Sequence, residues 1–594
     1  MKKDPYAPLR ETMTPTPEYW RSLEHRDNDE SVTSTQDLEF PNGITTPTGF
    51  NRRDAMKLAG ASIALGSLAG CEKLRRDPDE ILPFVRPPEK YVAGNKLMYA
   101  TAAQRSEGAL GLLAESNEGR PTKLEGNPLH PSSLGASDTW AQAEILKLYD
   151  PHRARSPLKA GAPAKWEEWD AFARDHFGKL VTEQGKGLAF LVEEDMGPTF
   201  ERLLAKLPAA KVVRFDPLAP DNAIQGAQLA FGPGARVHVD LSKVKVVFSL
   251  ESDFLQSGPE HLAYARQFGA TRAVQKQEDA QKMIRLYVAE AVFSNTGTNA
   301  DHRVRISSGE GVNLLKQLEY ELGLAPTAPA AVLSDVQKKF VAAMAKDLNN
   351  NKGGCAIFVG ERQPAAVHAL AHAISVSLNS FQAGAMTVSF PETPVARVGM
   401  HEQLEALVKG LGTEVTTLVT FDGNPLYTAP GALKFGEAAA KVTFVHAGVL
   451  PEETGLKATW HVPIGHFLES WADARAWDGT VSLVQPLILP LHGARAGLTL
   501  LAQMVGEAET SDRKLVEATW LGKQLADVKA WRKALHDGVV ANTARKPGTA
   551  TAEVKTADVV AAVATVKATS ASKDSLEFIA VDGHVKDGRL SNVS

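Results

Sequence analysis

The chain contains little cysteine, since its 594 residues include only Cys71 and Cys355. An iron–sulfur cluster is normally held by four cysteine thiolates, so two cysteines exclude such a cluster, and they exclude a cysteine-based zinc site as well. Cys355 lies in GGCAIFVGE, a run of β-branched and aromatic residues. This run predicts a buried strand with an unreactive thiol.

Strong net charge and long apolar runs are also missing. The net charge of -5 is small for this length and gives no reason to expect nucleic acid as a partner. The uncharged stretch from Leu58 to Cys71 spans about 21 Å as a helix, too short for a bilayer core of about 30 Å. Membrane attachment is therefore expected through Cys71 or through other subunits. The apolar share of 43% is ordinary for a globular fold with a large core.

A twin-arginine motif stands fifty residues into the chain. Arg52 and Arg53 precede a weakly apolar segment rich in glycine, alanine and serine, which ends in LAGC at Cys71. These features are typical of a Tat export signal with a lipobox-like end, so we expect export and acylation of Cys71. One acyl chain binds a membrane only marginally and needs a second anchor. The alternative is a buried amphipathic helix with an incidental cysteine.

Composition and patterning divide the chain into six segments. Between about 160 and 500, short apolar runs alternate with amphipathic stretches, which predicts α/β domains with parallel sheets. The strand candidates are GLAFLVEED, AKVVRFDP, VKVVFSLESDF, IRLYVAEAVFS, CAIFVGE, VTTLVTFDGNP and KVTFVHAG. The predicted segments are a mostly disordered extension (1–50), the signal (51–71), an amino-terminal domain of short strands (72–160), two α/β domains (161–300 and 301–505) and a carboxyl-terminal segment (506–594).

Acidic residues follow most of these strand candidates. They are Glu193, Glu194, Asp195, Asp216, Glu251, Asp253, Glu361 and Asp422. Ligands of parallel sheets bind at the carboxyl ends of the strands, where carboxylates make a poor cradle for a pyrophosphate. No GxGxxG or P-loop follows any of the strands. The architecture suits a large nucleotide-like cofactor, whereas phosphate-binding chemistry is not visible.

Several long segments resemble the molybdopterin oxidoreductase superfamily, in the same order. They are GLLAESNEGRPTKLEGNPLHPSSLGA, RLYVAEAVFSNTGTNADHRVRI, VGERQPAAVHALAHAI, DGNPLYTAP and WHVPIGHFLESWADARAWDGTVSLVQPLILPLHG. Together with EYWRSLEH and the displaced twin-arginine signal, the chain resembles a narrower group. These are the Tat-variant-translocated molybdopterin-oxidoreductase-like iron–sulfur subunits of alternative complex III, a quinol-oxidising respiratory complex of the membrane. The resemblance extends from Glu18 to about residue 500.

The resemblance implies a molybdopterin oxidoreductase-like fold of the formate dehydrogenase and DMSO reductase type. That fold has two doubly wound α/β domains and a small amino-terminal β-rich domain. Catalytic relatives carry a [4Fe–4S] cluster just before the segment matching Gly111 to Ala136, but LMYATAAQRSEGALGLL has no cysteine. In the narrower group this part is structural, without pterin, and a separate ferredoxin-like domain transfers electrons.

The resemblance therefore implies a non-catalytic subunit without a cofactor of its own, exported to the periplasmic face of the inner membrane. Multihaem cytochrome, iron–sulfur and integral membrane subunits are its expected partners. The alternative is an active oxidoreductase with a molybdenum bis-pterin guanine dinucleotide, its metal ligated by serine or aspartate.

Five residues match positions near the pterin of catalytic relatives and are candidates for a vestigial pocket wall: Thr296, Gly297, Asp301, Arg303 and Asn424. Simpler explanations are an Asp–Arg pair that fixes a loop and an Asn-Pro turn. The resemblance predicts no catalytic residue.

Histidine spacing offers one further candidate site. His368 and His372 stand four residues apart on a predicted helix, a spacing that suits a shared metal, but no metalloprotease glutamate lies between them. Packing is the default role for both, as it is for His461 and His466. We therefore predict no metal ligand.

Overall fold

The computed structural model describes residues 92, 94–105, 108–193, 196–330, 333–391, 397–545, 553–572 and 574–580. They belong to the second of two units, Pro83–Ser594. The first unit, Met1–Leu82, lies outside the described residues, and with it the predicted signal arginines Arg52 and Arg53 and the predicted lipidation site Cys71.

The elements are numbered in chain order within the described residues. The strands are β1 (Leu97–Ala103), β2 (Leu110–Asn117), β3 (Arg120–Gly126), β4 (Leu158–Lys159), β5 (Ala162–Pro163), β6 (Leu188–Val192), β7 (Lys211–Arg214), β8 (Arg236–Val239), β9 (Val246–Leu250), β10 (Arg285–Glu290), β11 (His302–Arg305), β12 (Cys355–Val359), β13 (Met386–Ser389), β14 (Thr417–Phe421), β15 (Thr443–Gly448), β16 (Trp460–Pro463), β17 (Ala472–Arg475) and β18 (Val481–Val484). The α-helices are α1 (Thr139–Leu148), α2 (Trp166–Thr182), α3 (Pro198–Leu204), α4 (Asp221–Phe231), α5 (His261–Thr271), α6 (Asn295–Thr298), α7 (Gly311–Glu321), α8 (Asp335–Asn350), α9 (Ala365–Ser377), α10 (Met400–Gly410), α11 (Pro425–Thr428), α12 (Phe435–Ala439), α13 (Glu453–Lys457), α14 (Gly497–Met504), α15 (Asp512–Trp520), α16 (Val528–Asp537) and α17 (Thr556–Thr565).

The larger sheet has seven strands in the order β5-β4-β16-β15-β14-β6-β7. Strands β6, β7, β14, β15 and β16 are parallel, and the short β4 and β5 continue the sheet in antiparallel fashion. Helices cover both faces. One face packs Phe190, Phe421 and Trp460 against Trp169 of α2 and Leu500 of α14. Residues such as Leu418 and Phe444 pack on the other face against α10 and α12.

The smaller sheet has four parallel strands in the order β11-β10-β9-β12. Strands β9, β10 and β12 are largely apolar because helices bury both faces: α7, α8, α9 and α17 on one side, α5 on the other. The edge strand β11 is polar and is exposed at three of its four residues. Cys355, the first residue of β12, is fully buried, and burial raises the pKa of its thiol to about 12. The predicted buried strand is confirmed and its thiol lies inside the core, whereas the low reactivity of that thiol stays a prediction.

Three antiparallel sheets complete the described fold. The amino-terminal part forms a sheet in the order β1-β2-β3, and β2 and β3 are joined by a tight turn at Glu118 and Gly119, both with positive φ. Strands β8 and β13 form one two-stranded ribbon, and β17 and β18 form the other. Helix α1 follows the first sheet, and the Asp138 carboxylate caps it by accepting the Ala141 N–H.

The two parallel sheets are interleaved along the chain. The seven-stranded sheet takes strands from 158–214 and from 417–463, and the four-stranded sheet lies between them at 246–359. The predicted boundary at 300/301 falls between β10 and β11, which pair in the same sheet. The contiguous domains 161–300 and 301–505 are therefore corrected to one sheet inserted into another.

Candidate functional site

The carboxyl ends of the parallel strands form the candidate site, because open α/β sheets bind ligands where the strand order reverses. In the seven-stranded sheet the order reverses between β6 and β14, and in the four-stranded sheet between β9 and β12. A glutamate directly follows the first strand at each place: Glu193 after β6 and Glu251 after β9. Both are buried, with 6% and 7% of their surface exposed.

Glu251 fills the crevice of the four-stranded sheet. Its carboxylate accepts hydrogen bonds from the Ser308 hydroxyl at 2.5 Å and from the Gln363 amide at 2.8 Å. A guanidinium nitrogen of Arg362 lies 3.7 Å from the other carboxylate oxygen. A Cβ at Gly360, on the opposite side of the crevice, would lie 2.2 Å from the Glu251 carbonyl oxygen. Groups of the chain itself thus occupy the crevice at Glu251, and an open cavity lies on the other side of Ser308, Arg362 and Gln363.

Glu193 takes the equivalent place in the seven-stranded sheet. A Cβ at Gly423, in the loop after β14, would lie 2.7 Å from a Glu193 carboxylate oxygen, so the two loops are in tight contact. The next residue, Asn424, is also buried. Its amide donates to the Glu453 carboxylate at 2.6 Å, and its carbonyl oxygen accepts from the Thr454 hydroxyl at 2.7 Å. Asn424 therefore ties the loop after β14 to the start of α13.

A third carboxylate occupies the start of α3, the helix that follows Glu193. Asp473 of β17 is fully buried and accepts the Thr199 N–H at 3.0 Å, the Thr199 hydroxyl at 2.5 Å and the Trp520 indole N–H at 2.6 Å. Burial raises the pKa of the Asp473 carboxyl, although these hydrogen bonds act in the opposite direction. The first helical N–H groups, which hold phosphates in dinucleotide-binding sheets, are here used by an internal acid.

The same arrangement recurs at the start of α6, after β10. The Asp253 carboxylate accepts the Thr296 N–H and the Thr296 hydroxyl, both at 2.8 Å. Next to it, the Glu290 carboxylate accepts from Arg303 at 2.6 Å. A Cβ at Gly297 would lie only 1.9 Å from a Glu290 oxygen. Thr296, Gly297 and Arg303 thus contact two carboxylates of the chain.

Asp301 lies elsewhere. It precedes β11, and its carboxylate pairs with Arg272 and accepts the Leu286 N–H at the amino end of β10. Asp301 therefore lies at the amino ends of the strands, whereas Thr296 lies at their carboxyl ends. The simple Asp–Arg pair predicted for this loop is also corrected, since Asp301 and Arg303 each pair with another residue.

Buried ion pairs connect α1 and the segment after it to the seven-stranded sheet. Arg153 and Glu469 form a two-pronged pair at 3.0 and 2.5 Å, with both side chains almost fully buried. Burial alone would raise the pKa of Glu469, but Arg153 and backbone N–H groups outweigh it and lower the pKa. Lys147 of α1 lies 3.7 Å from the Asp422 carboxylate at the end of β14. These pairs place protein charges over the carboxyl ends of the strands.

Three of the histidine candidates, His368, His461 and His466, are buried, and His372 is partly buried. His368 and His372 lie on α9, and burial lowers the pKa of the first to about 4 and of the second to about 3. No three His, Cys, Asp or Glu side chains are grouped as a metal site within the described residues. His461 stacks on His446 of the neighbouring strand with ring centres 5.2 Å apart. His466 contacts Glu144 of α1 at 3.2 Å.

Carboxylates occupy strand ends and helix starts where a pterin dinucleotide, if bound there, would place its phosphates. Such a cofactor carries phosphates, which require free N–H donors and positive charge at the strand ends. The two crevices instead contain Glu193 and Glu251, and the helix starts are occupied by Asp253 and Asp473. Each of these four carboxylates would repel a phosphate bound a few ångströms away, because the dielectric constant inside the protein is low.

Sequence reasoning found the acidic strand ends but missed several partners. Glu251, Asp253 and Asp422 lie where predicted, whereas Glu194 and Asp195 lie outside the described residues. Glu290 was hidden inside an apolar strand, and Asp473 is 274 residues from Thr199. The one sequence signal for Glu290 is that an acidic residue stands inside an otherwise apolar run. The sequence carries none for Asp473.

Three comparisons with known proteins place this geometry in context. No protein-family profile matches the chain. It is 25% identical over 458 residues to the menaquinone reductase, molybdopterin-binding-like subunit of Nitratidesulfovibrio vulgaris, which covers 69% of this chain and 65% of that protein. The chain thus spans less than two thirds of this relative. Acetylene hydratase from Pelobacter acetylenicus has a similar structure, with a TM-score of 0.57, 13% identity and 74% of each chain covered.

The structural match confirms the predicted fold class. The chain has a mixed α/β fold with parallel sheets, similar to that of molybdopterin oxidoreductases. The chain is also a distant homologue of the molybdopterin-binding-like subunit of the menaquinone reductase described above. Within the described residues, every helix is too short or too polar to cross a bilayer.

Proposed function

We propose that this chain is a non-catalytic structural subunit of a membrane-associated respiratory complex that exchanges electrons with quinones. The specific complex proposed is alternative complex III, in which the chain contacts multihaem cytochrome, iron–sulfur and integral membrane subunits. It is exported by Tat and anchored at the periplasmic face of the inner membrane through Cys71 and its partners. The relative's role in a menaquinone reductase supports the respiratory part of the proposal.

One observation carries the non-catalytic part: a buried glutamate stands in the switch-point crevice of each parallel sheet. Glu251 accepts three hydrogen bonds from the loops around it, and Glu193 packs tightly on Gly423. A carboxylate in such a place binds the protein loops and repels cofactor phosphates. The chain has kept the shape of a pterin protein and uses the former ligand positions for its own packing.

The test is metal and pterin analysis of the complex purified from membranes by a tag on this chain. We expect molybdenum and tungsten far below one atom per chain, and no fluorescent pterin derivative after acid oxidation. A bis-pterin enzyme purified in parallel from the same cells is the control for metal loss. Stoichiometric molybdenum or tungsten would establish the alternative, an active bis-pterin oxidoreductase.

A second measurement tests the structural role. Membranes from cells lacking this chain should lose quinol oxidation by the complex and should lose its other subunits from the native-gel band. Restoring the chain should recover both. If the remaining subunits assemble and oxidise quinol at the normal rate without it, the proposed role is wrong.

A further inference from the structure

Residues 576–580 form an exposed segment beyond α17. Leu576 and Phe578 are 88% and 93% exposed, while the residues that follow each of them, Glu577 and Ile579, are partly buried. This alternation is that of an extended chain, in which successive side chains point to opposite sides. Within the described residues, the backbone N–H and C=O groups of 576–580 make no hydrogen bond. The segment thus presents apolar side chains and free backbone groups together.

The segment is nevertheless held in place. The Glu577 carboxylate accepts the Ser308 N–H at 2.8 Å and the Gly309 N–H at 2.9 Å, in the loop after β11. Further back, the Thr569 N–H donates to the Gly309 carbonyl at 3.1 Å, and a Cβ at Gly309 would collide with Thr569. Helix α17 is anchored in the core through Val559 and neighbouring residues. A fixed segment binds with a smaller entropy cost than a free one.

A cavity of about 420 Å³ lies beside the segment. This is much more than the roughly 30 Å³ that one water occupies in the liquid. Apolar side chains such as Val312 and Ile579 line it together with Arg362 and Lys567. The one carboxylate in its wall, Glu577, is already engaged by two N–H groups. The cavity is therefore suited to an apolar or acidic side chain of another molecule.

We propose that residues 576–580 are the docking strand for an extended segment of a partner subunit, which pairs with this backbone. The partner segment covers Leu576 and Phe578 and places a side chain with acidic character near Arg362 and Lys567. A lipid surface does not suit this segment, because the free backbone groups would enter an apolar phase without hydrogen bonds. Strand addition satisfies them. The proposal rests on the proposed function only in that the partner belongs to the same complex.

The experiment compares variants of the full chain in cells, with assembly into the complex read from native gels of membranes. We expect the double variant Leu576→Asp with Phe578→Asp to lower the assembled fraction at least tenfold. Leu489→Asp, at another residue that is 86% exposed, is the matched control and should assemble normally. Phe578→Pro removes one backbone N–H and should reduce assembly more than Phe578→Ala.

Hydrogen exchange gives a direct readout. The amides of 576–580 should exchange freely in the isolated chain and become at least a hundredfold slower in the assembled complex. Normal assembly of the double variant, or unchanged exchange on assembly, overturns the docking strand. Self-association of the purified chain that the double variant abolishes would also overturn it, in favour of a second copy as the occupant. Failure of the wild-type chain to assemble would instead refute the proposed function.

Discussion

Acid should destabilise this protein well before its carboxylates titrate, because several histidines are buried in the neutral form. Burial lowers the pKa of His130, His368 and His446 to about 4 and that of His372 to about 3, from an ordinary value of 6.5. Above about pH 7 both the folded and the unfolded chain are neutral at these sites. As the pH falls below 6.5, only the unfolded chain takes up protons, so the free energy of unfolding falls until about pH 4.

The magnitude follows from the difference in bound protons. At pH 5 a histidine with a pKa of 6.5 is almost fully protonated, and one with a pKa of about 4 is about one tenth protonated, which gives a slope of about 1.2 kcal/mol per pH unit. Each such histidine removes about 3 kcal/mol between pH 7 and pH 4. Three of them give a slope of about 3.6 kcal/mol per pH unit near pH 5 if they titrate independently.

The assay is urea unfolding followed by tryptophan fluorescence at pH 7.5, 6.5, 5.5 and 5.0. His372 has no hydrogen-bond partner for its buried Nδ1 within the described residues, so His372→Leu removes a titrating group without breaking a bond there. The variant should show a slope lower by about 1.3 kcal/mol per pH unit near pH 5. His401→Leu, at an exposed position of α10, is the control. Equal slopes for wild type and His372→Leu would refute the reasoning.

Three further predictions concern packing. Arg153→Met should cost about 3–5 kcal/mol of unfolding free energy, because it leaves the buried Glu469 carboxylate unpaired, and Glu469→Met in addition should recover most of that loss in urea unfolding. Gly297→Ala should cost about 1–3 kcal/mol, since its methyl would lie 1.9 Å from a carboxylate oxygen. Gly178→Ala, in α2 with nothing within 4 Å, should instead stabilise by about 0.5–1 kcal/mol, and reversal of these signs in urea unfolding would contradict the packing. Cys355 should resist alkylation in the native protein and react at once in urea, and fast native labelling would show that its strand is open.

Much of the secondary structure could be predicted, because a strand that is buried on both faces consists of consecutive apolar residues in the sequence. All seven strand candidates are strands of the two parallel sheets. Strand β16 was missed because Trp460, His461, Val462 and Pro463 do not form such a run. The helices α15 and α16 were missed although each buries one apolar face, with Leu515 and Trp520 on the first and Trp531 on the second.

The interleaving of the sheets could not be predicted from local pattern. Which strand lies beside β6 depends on packing between distant parts of the chain, and the partner proved to be β14. The candidate site was predictable to the same extent. The acids that follow strands could be read along the sequence, whereas the partners of Asp473 and Glu577 come from remote segments.

Interleaving also dictates when the larger sheet can close during synthesis. The Thr416 hydroxyl donates to the Gly187 carbonyl, 229 positions earlier in the chain, where β6 pairs with β14. At about 5–20 residues per second, a ribosome needs roughly 10–45 s to supply that stretch. Until then one side of β6 has no partner strand, and the nascent chain must avoid pairing that side with another polypeptide. An export system that accepts only folded proteins could therefore act on this sheet only after β14, β15 and β16 had been synthesised and paired.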